Sequence, residues 1–333
     1  IYDPLNCKAF FDTKPEPTDK YITLKIGIRL FYREPPADLD ITIPTIKCDY
    51  GVPLIKSNLQ KAVRRRDNSI AIQSALALIQ KDPMELLRRL PIIYIEDVCL
   101  MDSYSIVVWL MMADKEYGAL KKRDIDIILN IVNSLCNCKT YFNYIKNDYS
   151  YAFTHESLQF APNGSQLLSV YYRSQYGGMK GDMQMLKVSI DYYRMHPSEV
   201  VKTEFNNIDY SKIEREIEVL VEAIDFHCYP SMLNTLNKLT HINKDTIKMC
   251  IWFVESGYNV RKPETQASSK EYEERNEWKR IEKYLEDNNN YLNQILNKLH
   301  DLQIQSLLVE GGSKLIQSFV EEGLWDEARV ITN

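Results

Sequence analysis

Apolar and polar residues alternate across residues 21–33, with Ile22, Leu24, Ile26, Ile28 and Leu30 on one face and Lys25 and Arg29 on the other. A period of two predicts a half-buried strand. Pro35-Pro36 ends it, and residues 41–48 predict a second, shorter strand with Pro44 at an edge or bend. Residues 1–50 therefore read as a small β element. From Leu54 the period becomes helical: Ile72, Leu76 and Ile79 share a face, with Ala71, Ala75 and Leu78 beside it. Asp82-Pro83 predicts a helix start, since aspartate caps free N–H groups and proline suits the first turn. Pro91 predicts an interruption, leaving residues 92–98 as a kinked continuation or a separate buried segment. Buried helices are expected at 103–113 and 125–135, and further helices at 183–195, 212–226, 231–239 and 244–255, around a loop-rich stretch at 147–181. Residues 261–290 are polar, with an exposed helix near 271–285 and Asp287-Asn288-Asn289-Asn290 as a linker. Residues 303–320 read as strand, glycine turn, helix.

The expected fold class is thus mainly α. A helical body over residues 51–260 carries the small N-terminal β element, and a short βα unit occupies residues 291–333. A chain of 333 residues can bury a substantial core in one large domain or two. Its 11 glycines and 13 prolines argue against a turn-rich all-β fold. A net charge of −5 excludes a globally basic nucleic-acid binder and leaves room for a local basic face. Seven cysteines, an odd number scattered along the chain, point to a reducing intracellular compartment, cytoplasmic or nuclear, rather than a disulfide framework. Cys136-Asn137-Cys138 is too tightly spaced for a usual zinc pair, and no metal site is expected. The apolar run Ile106 to Ala113 is far short of a membrane span.

Chemistry-bearing residues fall in three places. Lys61, Arg64, Arg65 and Arg66 read as the opening of one helix, with Arg88 and Arg89 in the next. Helical neighbours three and four apart form a ridge, and guanidinium forks suit phosphate. The ridge is either a nucleic-acid contact or a solvated basic face, whereas Arg88 and Arg89 are expected to pair internally with Glu96 or Asp97. The second place is the loop Gly177-Gly178-Met179-Lys180-Gly181-Asp182. Its glycines allow close backbone approach to an anion, with Arg173 and Lys180 to neutralise it. Tyr171, Tyr172 and Tyr176 offer stacking faces for bases. A turn that simply joins two helices accounts for the same glycines. The third is Glu310-Gly311-Gly312, where backbone amides and a helix start can hold a phosphate. No catalytic residue is assigned: the histidine spacings match no zinc hydrolase, and Glu96-Asp97 reads as a structural pair.

Two segments resemble known families. The run Lys61-Ala62-Val63-Arg64-Arg65-Arg66-Asp67, followed by residues 71–78, Asp82-Pro83, Leu87-Arg88-Arg89-Leu90 and Glu96-Asp97-Val98, resembles the helical collar of clamp-loader-like recombination ATPases. The phosphate-cradling Gly-x-x-x-x-Gly-Lys-Ser/Thr loop of such ATPases is absent from this chain. That resemblance implies a non-catalytic scaffold of replication or repair type, with nucleic acid or partner subunits as its partners. Residues 291–333, including Ser306-Leu307-Leu308-Val309-Glu310-Gly311-Gly312 and Leu324-Trp325-Asp326-Glu327-Ala328, resemble the C-terminal part of the riboflavin-pathway pyrimidine reductase. That second resemblance implies NADPH as cofactor, with Glu310 near the substrate and Gly311-Gly312 at the cofactor phosphates. The cofactor is otherwise unassigned.

Overall fold

The computed structural model describes residues 7–15, 20–34, 42–143, 153–206, 208–220, 223 and 230–286. It divides into two compact units, one formed by Ile1–Cys228 with Lys248–Tyr272 and the other by Tyr229–Ile247 with Glu273–Asn333. The protein is mainly α, with a small three-stranded sheet near the N-terminus. The expected C-terminal βα unit lies outside the described residues.

In the first unit, β1 (Lys8–Phe11), β2 (Ile22–Lys25) and β3 (Arg29–Arg33) form an antiparallel sheet of order β1-β3-β2. The single strand expected over 21–33 is instead the β2–β3 hairpin. Lys25 pairs with Arg29, and Gly27 at the tip adopts φ 73°, a left-handed conformation that glycine tolerates without strain. The outer edge of β1 is closed by a side chain: Ser165 Oγ accepts from the Phe11 N–H and donates to the Ala9 carbonyl, both at 3.2 Å. No strand forms over the described part of 41–48. Lys47 makes only an isolated parallel bridge with Glu216.

Among the described residues, eight helices complete this unit together with the segment from Lys248. They are α1 (Val52–Arg65), α2 (Asn68–Lys81), α3 (Pro83–Asp97), α4 (Tyr104–Tyr117), α5 (Lys122–Asn137), α6 (His155–Gln159), α7 (Gly164–Gln175) and α8 (Lys180–Met195). Helix α4 carries Tyr104, Ile106, Val107, Trp109 and Met111, apolar on every side, and is buried accordingly. It packs on α3, α7, β1 and β3. Tyr32 of β3 stacks on Trp109 with ring centroids 4.4 Å apart and donates its hydroxyl to Asp124 of α5 at 3.1 Å. Asp82 caps α3 as expected, accepting from the Glu85 N–H at 3.2 Å. Pro91 does not break α3, which runs unbroken to Asp97.

Two further sequence expectations differ from the structure. Helices α6 and α7 occupy much of the stretch expected to be loop. Conversely, no helix forms over the described residues 212–220 beyond the end of a short 3-10 turn, Tyr210–Lys212. There the polar backbone groups are satisfied sideways. Asn58 donates to the Glu218 carbonyl at 2.8 Å and accepts from the Leu220 N–H at 2.9 Å, while Gln73 accepts from the Glu218 N–H at 3.2 Å. Those buried amides of α1 and α2 offer the chain an alternative to helical hydrogen bonds.

Helix α10 (Lys244–Cys250) continues into π-helical turns at Ile251–Ser256, and α11 (Pro263–Glu274) follows. In the second unit α9 (Pro230–Thr240) packs against α12 (Asn276–Glu286). The α9 end is tied by Thr240 Oγ1 donating to the Leu236 carbonyl at 2.6 Å and Asn237 Nδ2 to Ile242 at 2.7 Å. Among the described residues no helix is long and apolar enough to cross a membrane.

Candidate functional site

The arginine-rich segment closes α1 rather than opening a helix. Arg66 adopts φ 62°, its N–H reaches the Val63 carbonyl, and Asp67 N–H reaches Ala62, so the helix ends in a left-handed cap. Asp67 then caps α2 by accepting from the Ile70 N–H at 3.0 Å. The cations therefore sit at a helix C-terminus, where the backbone dipole favours them.

Their side chains face the protein. Arg64 is 5 % exposed; its Nε donates to Asp97 Oδ1 at 2.5 Å, its Nη2 to Glu96 Oε1 at 2.9 Å, and its Nη1 to the Ser256 carbonyl. Arg65 lies over the Tyr258 ring at 4.5 Å from the centroid and donates to the Tyr258 and Val254 carbonyls. Arg66, exposed, donates to the carbonyls of Cys136 at 3.0 Å and Asn137 at 3.1 Å. The acid pair on α3 is thus held by Arg64, and the expected pairing with Arg88 and Arg89 does not occur. Glu96 and Asp97 lie seven to nine residues beyond those arginines on the same helix, about 10–14 Å along its axis. Arg88 instead pairs with Glu85 at 3.6 Å, and Arg89 donates to Gln60 and lies 3.9 Å from Asp182.

The centre of the arrangement is a buried polar hub that draws in residues near 260. Asp97, 1 % exposed, also accepts from Gln60 at 2.7 Å, and its carbonyl accepts from Asn259 Nδ2 at 2.9 Å. Arg261 donates to four carbonyls at the C-terminal ends of two helices: Val63 at 2.7 Å, Leu135 at 2.6 Å, Cys136 at 3.0 Å and Cys138 at 2.8 Å. Lys262 adds a bond to the Glu96 carbonyl at 2.9 Å. Burial, with Asp97 alongside, pushes the Glu96 carboxyl above the usual range despite Arg64. Sequence reasoning placed residue 261 at the start of a polar appendage and missed this role. No local signal marks it, because every acceptor of its guanidinium is more than a hundred residues away.

The Gly177–Asp182 segment joins α7 to α8, and its last three residues, expected as loop, form the first turn of α8. Gly177 and Gly178 take φ 94° and 144°, conformations that glycine permits. Arg173, 3 % exposed, donates to the carbonyls of Gly177 at 2.9 Å and Arg88 at 2.9 Å, which ties the loop to α3. Lys180 is exposed at the first turn of α8. Tyr171 and Tyr172 meet Phe153, His155 and Phe11 through ring contacts, whereas Tyr176 is exposed. Arg64 and Arg173 therefore spend their donors on internal acceptors, and of the five basic candidates Arg66 and Lys180 reach solvent most fully.

A cleft of about 260 Å³ opens at the start of α4, with Lys8, Phe10, Asp102, Ser105, Gln166 and Phe205 among its walls. Asp102 Oδ1 there accepts from both the N–H and the hydroxyl of Thr203, at 2.9 and 2.6 Å. Among the described residues no group of three or more His, Cys, Asp or Glu side chains converges as a metal site. Glu310, Gly311 and Gly312 lie outside the described residues.

Against this geometry stands one family match. The model of the RibD C-terminal domain family matches residues 259–333, less than a quarter of the chain. No curated protein and no solved structure matches. The match includes Glu310-Gly311-Gly312, and it begins at the hub residues Asn259, Arg261 and Lys262.

Proposed function

We propose that the C-terminal residues form a reductase-like segment that holds the phosphates of NADPH at Gly311-Gly312, with Glu310 toward a pyrimidine substrate, attached to a helical body without catalytic chemistry of its own. The observation that carries this reading is the RibD C-terminal domain match over 259–333. A glycine pair leading into a helix supplies backbone amides without a Cβ in the way, which is what a pyrophosphate needs. The test is a titration of NADPH fluorescence with the full chain and with Gly311→Asp and Gly312→Asp. Binding that both variants abolish supports the reading. NADPH emission unchanged by the wild-type chain sinks it.

A second reading concerns the body alone: a non-catalytic scaffold of replication or repair type that meets nucleic acid or partner subunits. It is favoured by one observation, that the segments resembling a clamp-loader-like collar fall on α1, α2 and α3, three consecutive helices packed on one another. Electrostatic contact in this reading rests on Arg66 and Lys180, with Arg65 beside Arg66. Arg66→Glu with Lys180→Glu is expected to weaken DNA or RNA binding and lower its salt dependence. Affinity and salt slope identical to wild type would refute it.

A further inference from the structure

Cys99 follows the end of α3 and Cys138 caps the end of α5, and their sulfurs lie 3.8 Å apart. The two thiols differ in environment. Cys99 is 1 % exposed, whereas Cys138 is half-buried between exposed Asn137 and Lys139. Each is held in place by its neighbours. Phe142 N–H donates to the Val98 carbonyl at 2.5 Å and Leu100 N–H to the Tyr193 hydroxyl at 2.9 Å. On the other side, Cys138 N–H donates to Ser134 at 2.9 Å and its carbonyl accepts from Arg261 at 2.8 Å. The hydrogen bond from the Cys99 thiol, with the Thr140 backbone and Arg261 nearby, draws the Cys138 thiol down to about 6. Burial and the same contact push Cys99 up. Cys136, two residues earlier, is buried and turned toward the Asp67 carbonyl at 3.8 Å, with burial raising it to about 12.

We propose that Cys99 and Cys138 form a reversible dithiol–disulfide pair, oxidised by hydroperoxides, with Cys138 the attacking and Cys99 the resolving sulfur. The Cys138 thiolate attacks one oxygen of the hydroperoxide; the O–O bond breaks and the other oxygen leaves as alcohol or water after taking up a proton. Cys138 is then a sulfenic acid. The Cys99 sulfur attacks it, the S–O bond breaks, and water leaves with the Cys99 proton. Two thiols lose two electrons in all and one hydroperoxide gains them. The disulfide ties the end of α3 to the end of α5 beside Arg261 and Asn259, so oxidation stiffens the hub that joins α1, α3 and α5.

The test is treatment of the full chain with hydrogen peroxide, followed by intact mass, thiol titration and peptide mapping, on wild type, Cys99→Ser and Cys138→Ser. Wild type is expected to lose two thiols and the mass of two hydrogens, to yield a Cys99–Cys138 cross-linked peptide, and to recover both thiols with a reductant. Cys99→Ser is expected to accumulate a Cys138 sulfenic acid that a cyclic diketone traps. Cys138→Ser is expected to react at least tenfold more slowly. Cys48, also half-buried and, like Cys138 with Thr140, directed to a carbonyl two residues on, serves as the internal control for accessibility. A map that pairs other cysteines, or a Cys138→Ser rate equal to wild type, overturns the proposal. So does a wild-type chain that keeps both thiols.

Discussion

Replacing Arg64 by methionine tests the hub most directly. The substitution keeps much of the aliphatic stem, so packing changes little, and removes the guanidinium that bonds Asp97, Glu96 and the Ser256 carbonyl. Asp97 is 1 % exposed and retains only Gln60 as a side-chain donor to its carboxylate. A buried carboxylate stripped of its cation costs about 3–5 kcal/mol. Glu96, whose side chain is 33 % exposed, is partly screened by water and adds little. A loss of about 4 kcal/mol corresponds to a fall in Tm of roughly 8–16 °C for a unit of this size. Urea unfolding followed by circular dichroism, with calorimetry, reads both quantities. Adding Asp97→Asn removes the orphaned charge, and the double variant is expected to recover about 2 kcal/mol of the loss. The sign with pH follows from linkage. Burial already holds the Glu96 carboxyl above its ordinary value with Arg64 present, and loss of Arg64 raises it further, so the single variant's deficit is largest at neutral pH. It shrinks as pH falls toward about 4. A deficit below about 1 kcal/mol, or a double variant no better than the single, would refute the reasoning.

Three further outcomes follow from the same geometry. Ser165→Ala leaves the Phe11 N–H and Ala9 carbonyl unpaired at the β1 edge and is expected to cost about 2 kcal/mol, with faster hydrogen exchange at Phe11; unchanged exchange would contradict it. Arg261→Met removes donors to four carbonyls and is expected to cost about 3 kcal/mol by chemical denaturation, while Arg261→Lys restores less than half, since one ammonium cannot span two helix ends. Burial raises the Asp126 carboxyl above its ordinary value although Tyr210 donates to it, so its ionisation opposes folding at neutral pH and ceases to do so below the unfolded carboxylate value. Asp126→Asn is therefore expected to raise stability at pH 7 and to flatten the rise in stability that wild type shows on acidification through this range; a neutral-pH loss with unchanged pH slope would contradict that account.

Much of the architecture was legible along the chain because local rules agreed with the final packing. The Asp82-Pro83 start of α3 needed only a capping carboxylate and a proline that has no N–H to lose. The apolar girdle of α4 required burial in any fold. Where local rules failed, a distant partner had intervened. The region 213–220 lost a helical expectation to Asn58 and Gln73, whose buried amides satisfy its backbone from α1 and α2. The hairpin within 21–33 kept its alternation through the turn, so only Gly27 hinted that one strand was two.

For the candidate site the division is sharper. Residue order alone gave a cluster of cations at 61–66, a paired carboxylate at 96–97 and a glycine turn between Gln175 and Asp182, together with the resemblance of the C-terminal segment to a RibD C-terminal domain. Which cation meets which carboxylate was decided in three dimensions. Helical rise keeps Arg88 and Arg89 about two turns or more from Glu96 and Asp97, whereas α1 runs alongside α3 in the same direction, with Lys56 at Glu85 and Gln60 at Arg89, and so brings Arg64 into contact. The same closure delivers Arg261 from far along the chain to two helix ends and sets the Cys99 and Cys138 sulfurs side by side. Charge and propensity act over a few residues and are written into the chain; partnership between buried polar groups depends on where the chain returns, and tertiary packing alone sets that.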